Sequence, residues 1–341
     1  MLAAALALLP AGSRAGLAAE RIQVVCTLPH LASLVRELGG DRVQVRALAA
    51  ATLNPHYVVP TPGLMAAVAE ADLFVEIGAG LELWSERVLQ GARNPRVRPG
   101  QPGYVAAYQG VPMEQVPAVL SRAYGDLHPL GNPHIWLDPL NVKVMAANIA
   151  TGLERVDPEG GALYQANLQR LQRRLDEAYF GAELIQLLGI ELLERLRRSG
   201  RLFEFLEQRQ FRGAPLAQRA GGWLGRMWPY RRSRFVAYHR QWVYFARAFD
   251  LEEFGQLEPK PGIPPTPGHL EQLEAAAKAA GVRVVLCAPY HDFGQAEAFA
   301  RRIGARAVRA PTEPGIEGIE DYFGLMDELT RRYAAAAQAA D

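Results

Sequence analysis

Seven histidines are spread over the chain. Three of them sit in contexts that could do chemistry. His128-Pro129-Leu130-Gly131-Asn132-Pro133-His134-Ile135-Trp136-Leu137-Asp138-Pro139 packs two imidazoles, three prolines and a glycine into one short stretch, which makes it a constrained loop. Its apolar tail, Ile135-Trp136-Leu137, anchors the loop in a core and leaves His134 where a rigid scaffold meets solvent, a position suited to a metal ligand or a base. A second Asn-Pro-His stands at Asn54-Pro55-His56, after the strand-like run 43–48. His239 closes a third such run, 234–239. A lone histidine beside a proline turn is more often a hydrogen-bonded structural residue. The recurrence at three strand exits is what argues for chemistry.

Neutral imidazole is the commonest nitrogen ligand of zinc, at ~2.0–2.1 Å, and three imidazoles with one oxygen make a tetrahedral site. A calcium or magnesium site would need a carboxylate cluster instead. The other histidines read as structural: His30 caps or packs the first helix, and His269 lies in a Pro/Gly loop before a helix. His128 is either an exposed turn residue or an auxiliary metal-scavenging group.

The elements that must position these residues alternate between strand and helix. Strands are expected at 21–28, 42–48, 72–77 and 104–108, with helices at 30–38, from 62 to 71 and at 81–89; a helix at 142–156 follows the histidine loop. A strongly helical stretch at 164–179 lies between two α/β halves, and further helices are expected at 183–198 and 202–210. The second half has strands at 234–238, 283–288 and 305–309 among helices at 242–249, 267–280, 293–303 and 322–337. The chain therefore reads as α/β, with ligands expected outside the carboxyl ends of the strands. Residues 258–267 are too proline-dense for regular structure and form either a cleft-wall loop or a rigid lead into the next helix. Gly221-Gly222-Trp223-Leu224, with Trp228, reads as a packed turn near the cleft mouth.

With 341 residues, 49% of them hydrophobic and 21% charged, the chain is long enough for two cored domains. Its 37 basic and 36 acidic residues give no electrostatic pull toward nucleic acid. The apolar start, followed by Ala15-Gly16-Leu17-Ala18-Ala19, reads as a signal peptide over 1–19 without a basic leader region. Its roughly 9 apolar residues fall far short of the ~20 that span a bilayer. The expected product is an exported, soluble chain beginning near Glu20. Cys26 and Cys287, both in strand-like runs, are expected to be buried free thiols.

Taken in order, several motifs resemble one family. They are Asn54-Pro55-His56 followed by Pro60-Thr61-Pro62; Ala71-Asp72-Leu73 through Ile77-Gly78 to Leu81-Glu82; the run from Asn132 to Pro139; and Tyr238-His239. The family is that of the zinc- or manganese-binding solute-binding proteins of bacterial ABC transporters, the cluster A-1 or TroA/ZnuA-like periplasmic proteins. The resemblance covers almost the whole chain after the leader. It implies two α/β lobes, 20–156 and 234–341, joined by a long rigid helix within 157–233. One divalent metal is then held in the inter-lobe cleft of a monomer and handed to a permease in the inner membrane.

Residue by residue, the resemblance makes His56 and His134 the ligands of the first lobe and His239 the first ligand of the second. A histidine at that third position favours Zn2+ over Mn2+. For the fourth ligand it suggests Glu313, with His291 and water as competitors, while a strict count back from Asp321-Tyr322-Phe323 falls on Ala310. The long His-rich loop of some zinc members is absent. The rival reading is a zinc hydrolase with a three-histidine site and a bound water. Asp138 and Glu313 would be its candidate bases, and the sequence has no HExxH or HxH motif.

Overall fold

The structure is a computed structural model that describes residues 21–118 and 128–339. The expected leader lies outside the described residues.

The framework consists of two four-stranded sheets, parallel throughout. The first contains β1 (Ile22–Cys26), β2 (Val43–Ala47), β3 (Leu73–Glu76) and β4 (Tyr104–Ala106), in spatial order β2-β1-β3-β4. Its crossovers are α1 (Pro29–Gly39), α2 (Pro62–Ala69) and α3 (Ser85–Ala92). β3 is buried along its whole length, which is why Leu73-Phe74-Val75 are apolar without alternation, and its last residue, Glu76, is buried with the Ser85 and Tyr104 hydroxyls donating to it. After β4 a long connection leads to a 3-10 turn, Ile135–Leu137, and then to α4 (Pro139–Val156), which packs on β3 and β4. Asp138 caps α4 by accepting from the Leu140 N–H at 2.9 Å, and Pro139 occupies the first helical position, where its missing N–H is harmless.

Next comes α5 (Gly161–Phe180), whose 20 residues span roughly 30 Å. Its buried Tyr164, Leu168, Leu171, Leu175 and Tyr179 recur at helical spacing; the helix packs on α1 and α4, while the Tyr179 hydroxyl donates to the Ala248 carbonyl in the second half. Three short helices follow: α6 (Ala182–Leu188), α7 (Ile190–Arg198) and α8 (Leu202–Gln208). A small antiparallel hairpin, β5 (Gln210–Phe211) with β6 (Ala214–Pro215), leads to α9 (Gly222–Met227).

The second sheet contains β7 (Arg234–Ala237), β8 (Glu252–Gln256), β9 (Val284–Cys287) and β10 (Arg306–Arg309), in order β10-β9-β7-β8. α10 (Val243–Phe249), α11 (Pro267–Ala279) and α12 (Phe293–Ile303) are its crossovers, and α13 (Tyr322–Gln338) closes the chain. Each sheet has one point where successive strands depart in opposite directions, between β1 and β3 and between β7 and β9. Such a point opens a crevice at the carboxyl ends of the strands.

Phe235 and Ala237 face a large apolar cluster that runs through both halves of the molecule, whereas Val236 and Tyr238 face a smaller cluster on the opposite side of the second sheet. That is the two-residue period of a strand buried on both faces. The halves also share hydrogen bonds. The Trp136 indole donates to the Thr312 carbonyl at 2.9 Å, and the Tyr322 hydroxyl donates to the Trp136 carbonyl at 2.8 Å.

Departures from the sequence reading have local causes. The single helix expected at 183–198 is split between α6 and α7 at Gly189, whose φ of 73° lies in the left-handed region. α3 starts at Ser85 because residues 78–80 all have positive φ and form a turn first. β8 is an edge strand with a bulged register and two glutamates, so it lacked an apolar signature. The cysteines are free and buried, as expected. Trp223 is buried against Tyr322 and Phe323, with ring centroids 6.4 and 6.0 Å away. Among the described residues no helix is long and apolar enough to cross a membrane.

Candidate metal centre

His134 is held by its own turn. The Asn132 side-chain oxygen accepts from the His134 backbone N–H at 3.1 Å and pairs with Nδ1 at 2.9 Å. The backbone N–H can only donate, so the facing Asn132 atom is oxygen and Nδ1 carries the ring proton. Nε2 is left with its lone pair. The Asn132 amide is pinned in turn, donating to the Gln115 side chain at 3.0 Å and to the Arg240 carbonyl at 3.1 Å. Asn54 repeats the motif by accepting from the His56 N–H at 3.0 Å, and the Trp84 indole donates to the Pro55 carbonyl at 2.8 Å. The Asn-Pro-His pattern is therefore an Asx turn that aims an imidazole.

His239 follows β7 closely and is backed by an anion. Its Nδ1 lies 2.7 Å from the Glu258 carboxylate, which also accepts from the Gly262 N–H at 3.1 Å. A carboxylate behind the ring fixes its tautomer and orientation, leaving Nε2 free to face outward.

These three side chains converge. One ligand atom from each of His56, His134 and His239 lies within 4.8 Å of the others, and among the described residues this is the group of metal-capable side chains that closes to that distance. The Nε2 atoms of His56 and His134 are 3.3 Å apart, matching the edge of about 3.3 Å that two ~2.05 Å bonds subtend at a tetrahedral zinc. Burial pushes the pKa of both His56 and His134 well below the usual histidine value, and the neighbouring imidazoles add to the effect. Both are therefore neutral at ordinary pH, the form in which an imidazole can accept a metal.

Two further imidazoles border the group. The His128 ring stacks on His56 with centroids 5.1 Å apart, and His291 stacks on Tyr238 at 4.6 Å and lies 5.5 Å from His239. Burial, more than His239, lowers His291 to about 4.

Glu313 does not join the cluster, contrary to the expectation that it would be the fourth ligand. It is buried against α1, where it accepts from the His30 backbone N–H and from His30 Nδ1, each at 2.9 Å. His30 stacks on Trp136 at 4.5 Å. Both carboxylate oxygens are thus committed to the helix start, and α1 has no side-chain cap of its own. Asp138 is equally committed, since its second oxygen receives Arg197 of α7 at 2.8 Å. Neither candidate base of a hydrolase faces the cluster. The sequence reading missed Glu258 as a site residue: it opens the proline-rich segment, and no motif links it to His239.

A family model described as "Zinc-uptake complex component A periplasmic", ZnuA, matches residues 24–180 and 226–336. The chain belongs to this family. The high-affinity zinc uptake system protein ZnuA of Bacillus subtilis (strain 168) is 21% identical over 90% of this chain and 83% of its own length. The manganese ABC transporter substrate-binding lipoprotein PsaA of Streptococcus mitis is 25% identical, over 49% of this chain and about half (52%) of its own length. Among solved structures, one of ZnuA matches with a TM-score of 0.67 at 24% identity, covering 93% of this chain and all (100%) of that one. The substrate-binding protein FpvC of Pseudomonas aeruginosa, in complex with Mn2+, gives 0.68 at 21% identity over 94% of this chain and 100% of that one. These likenesses establish the two-lobed solute-binding fold. The family consists of metal-binding, substrate-binding components of ABC transporters and not of enzymes. α6 to α8 and the β5–β6 hairpin fall in the stretch that the family model does not match.

Proposed function

We propose that this chain is a periplasmic carrier that binds one zinc ion through His56, His134 and His239 and delivers it to an ABC importer in the inner membrane. The observation that carries the reading is the convergence of three imidazoles. Those of His134 and His239 have Nδ1 tied back, so that Nε2 points at the common centre. An all-imidazole donor set with no carboxylate among its members favours zinc over manganese. Relatives named for each metal are both similar to this chain. In this reading the lobes are 20–156 and 234–341, the segment 157–233 with α5 joins them, and the exported protein works as a monomer.

Calorimetric titration of the chelator-stripped protein with zinc and with manganese, alongside elemental analysis, tests the reading. One tight zinc equivalent is expected, with weaker manganese. In His134→Ala the zinc affinity falls by more than the about 10–100-fold that outer-sphere changes cost. Absence of tight binding to either metal refutes the carrier reading.

A further inference from the structure

We propose that His291 is the fourth protein donor to the bound ion, swinging from the face of Tyr238 into the cluster when metal arrives. This rests on the reading of His56, His134 and His239 as the metal site.

The topology puts His291 where a ligand belongs. β7 and β9 are neighbours on either side of the point where the second sheet reverses its winding, and His239 and His291 lie in the loops leaving those strands. The strands stay paired to their ends, with the Tyr238 N–H donating to the Leu286 carbonyl at 2.8 Å. The His291 N–H then donates to the Ala288 carbonyl at 3.1 Å, closing a turn that folds the imidazole back over the strand ends. The ring comes to rest 5.5 Å from that of His239, tilted by 31°.

The side chain carries an unmet need. His291 Nε2 is fully buried and has no hydrogen-bond partner, an arrangement that folded proteins seldom leave uncompensated. Its ring is bordered by two aromatic rings, Tyr238 stacked at 4.6 Å and Tyr290 tilted at 4.8 Å, and neither gives Nε2 a hydrogen bond. A metal beside His239 supplies the missing partner. The carboxylates that could compete are engaged elsewhere: Glu313 with His30, Asp138 with Arg197, and Glu258 with His239 and Gly262.

The wild-type chain gives a test that needs no mutation. X-ray absorption of the zinc-loaded protein counts the imidazoles around the metal; four support the proposal, and three with an oxygen overturn it. Zinc competition against a chelator, and visible spectra of the cobalt(II)-loaded protein, are then compared for wild type, His291→Ala, His291→Gln and His56→Ala. Zinc affinity is expected to fall more than about tenfold in both His291 variants, with the cobalt bands shifting as water replaces nitrogen. Wild-type spectra and affinity in both variants overturn the proposal. If His56→Ala abolishes binding while the His291 variants bind like wild type, only this inference fails. If His56→Ala also binds like wild type, the underlying site reading fails with it.

Discussion

His134 and His239 turn the same nitrogen toward the cluster but are backed by different chemistry. Behind His134 stands a neutral amide from its own turn, Asn132, two residues away; behind His239 stands the Glu258 carboxylate, reached only after the chain has passed through α10 and β8. The first arrangement is local, so the imidazole is aimed as soon as the Asx turn forms. The second depends on the packing of the second sheet, and in return it places a carboxylate behind the imidazole. One half of the site is therefore set mainly by backbone geometry and the other by electrostatics.

Removing the two supports separately measures that contrast. Glu258→Gln keeps a hydrogen-bond acceptor behind Nδ1 but removes the charge, whereas Asn132→Ala removes the acceptor of both the ring and the backbone N–H of His134. Each is expected to weaken zinc binding by about 10–100-fold, but in different ways. For Asn132→Ala, affinity falls together with the protection of the His134 amide from hydrogen exchange. For Glu258→Gln, affinity falls while that protection stays. Equal loss of protection in both variants would erase the distinction drawn here.

Acid probes the local half directly. The folded pKa values of His56 and His134 lie well below the unfolded value near ~6.5. Below that unfolded value the unfolded chain binds more protons than the folded one, so apo stability declines as pH falls from ~6.5 toward the folded values, and above ~6.5 these groups contribute no slope. Thermal unfolding of the apo protein across this range should show the decline, and His134→Ala should make it shallower. A decline in apo stability centred above that value would contradict the burial of these rings.

The smallest expected effect on metal binding comes from Glu313. In Glu313→Ala the buried His30 ring and backbone N–H lose their acceptor, which costs about 1–3 kcal/mol of stability in denaturant unfolding. Zinc affinity should change less than about twofold, since no bond to Glu313 reaches the three histidines. A large loss of affinity with unchanged stability would return Glu313 to the ligand set.

What was legible in the sequence follows the same division between local and distant. The strand and helix alternation was readable because β1, β3, β7 and β9 are buried strands and the helices beside them keep a one-sided apolar face. His56 and His134 were readable because Asn-Pro-His is a self-contained turn. Glu258 was not, because its meaning comes from a contact with His239 across a sheet crossover. The role of Glu313 was hidden for the same reason, since nothing near it in sequence indicates that α1 begins without a cap. β8 lacked an apolar pattern, as a partly solvated edge strand does.

The bond from Glu313 to His30 also bears on how the protein is made. The two residues are 283 positions apart, so the first helix of the molecule gains its cap only after nearly the whole chain is available. A contact of that separation closes late and slows folding. An emerging chain thus carries an α1 whose first turn stays uncapped until residue 313 is available to it.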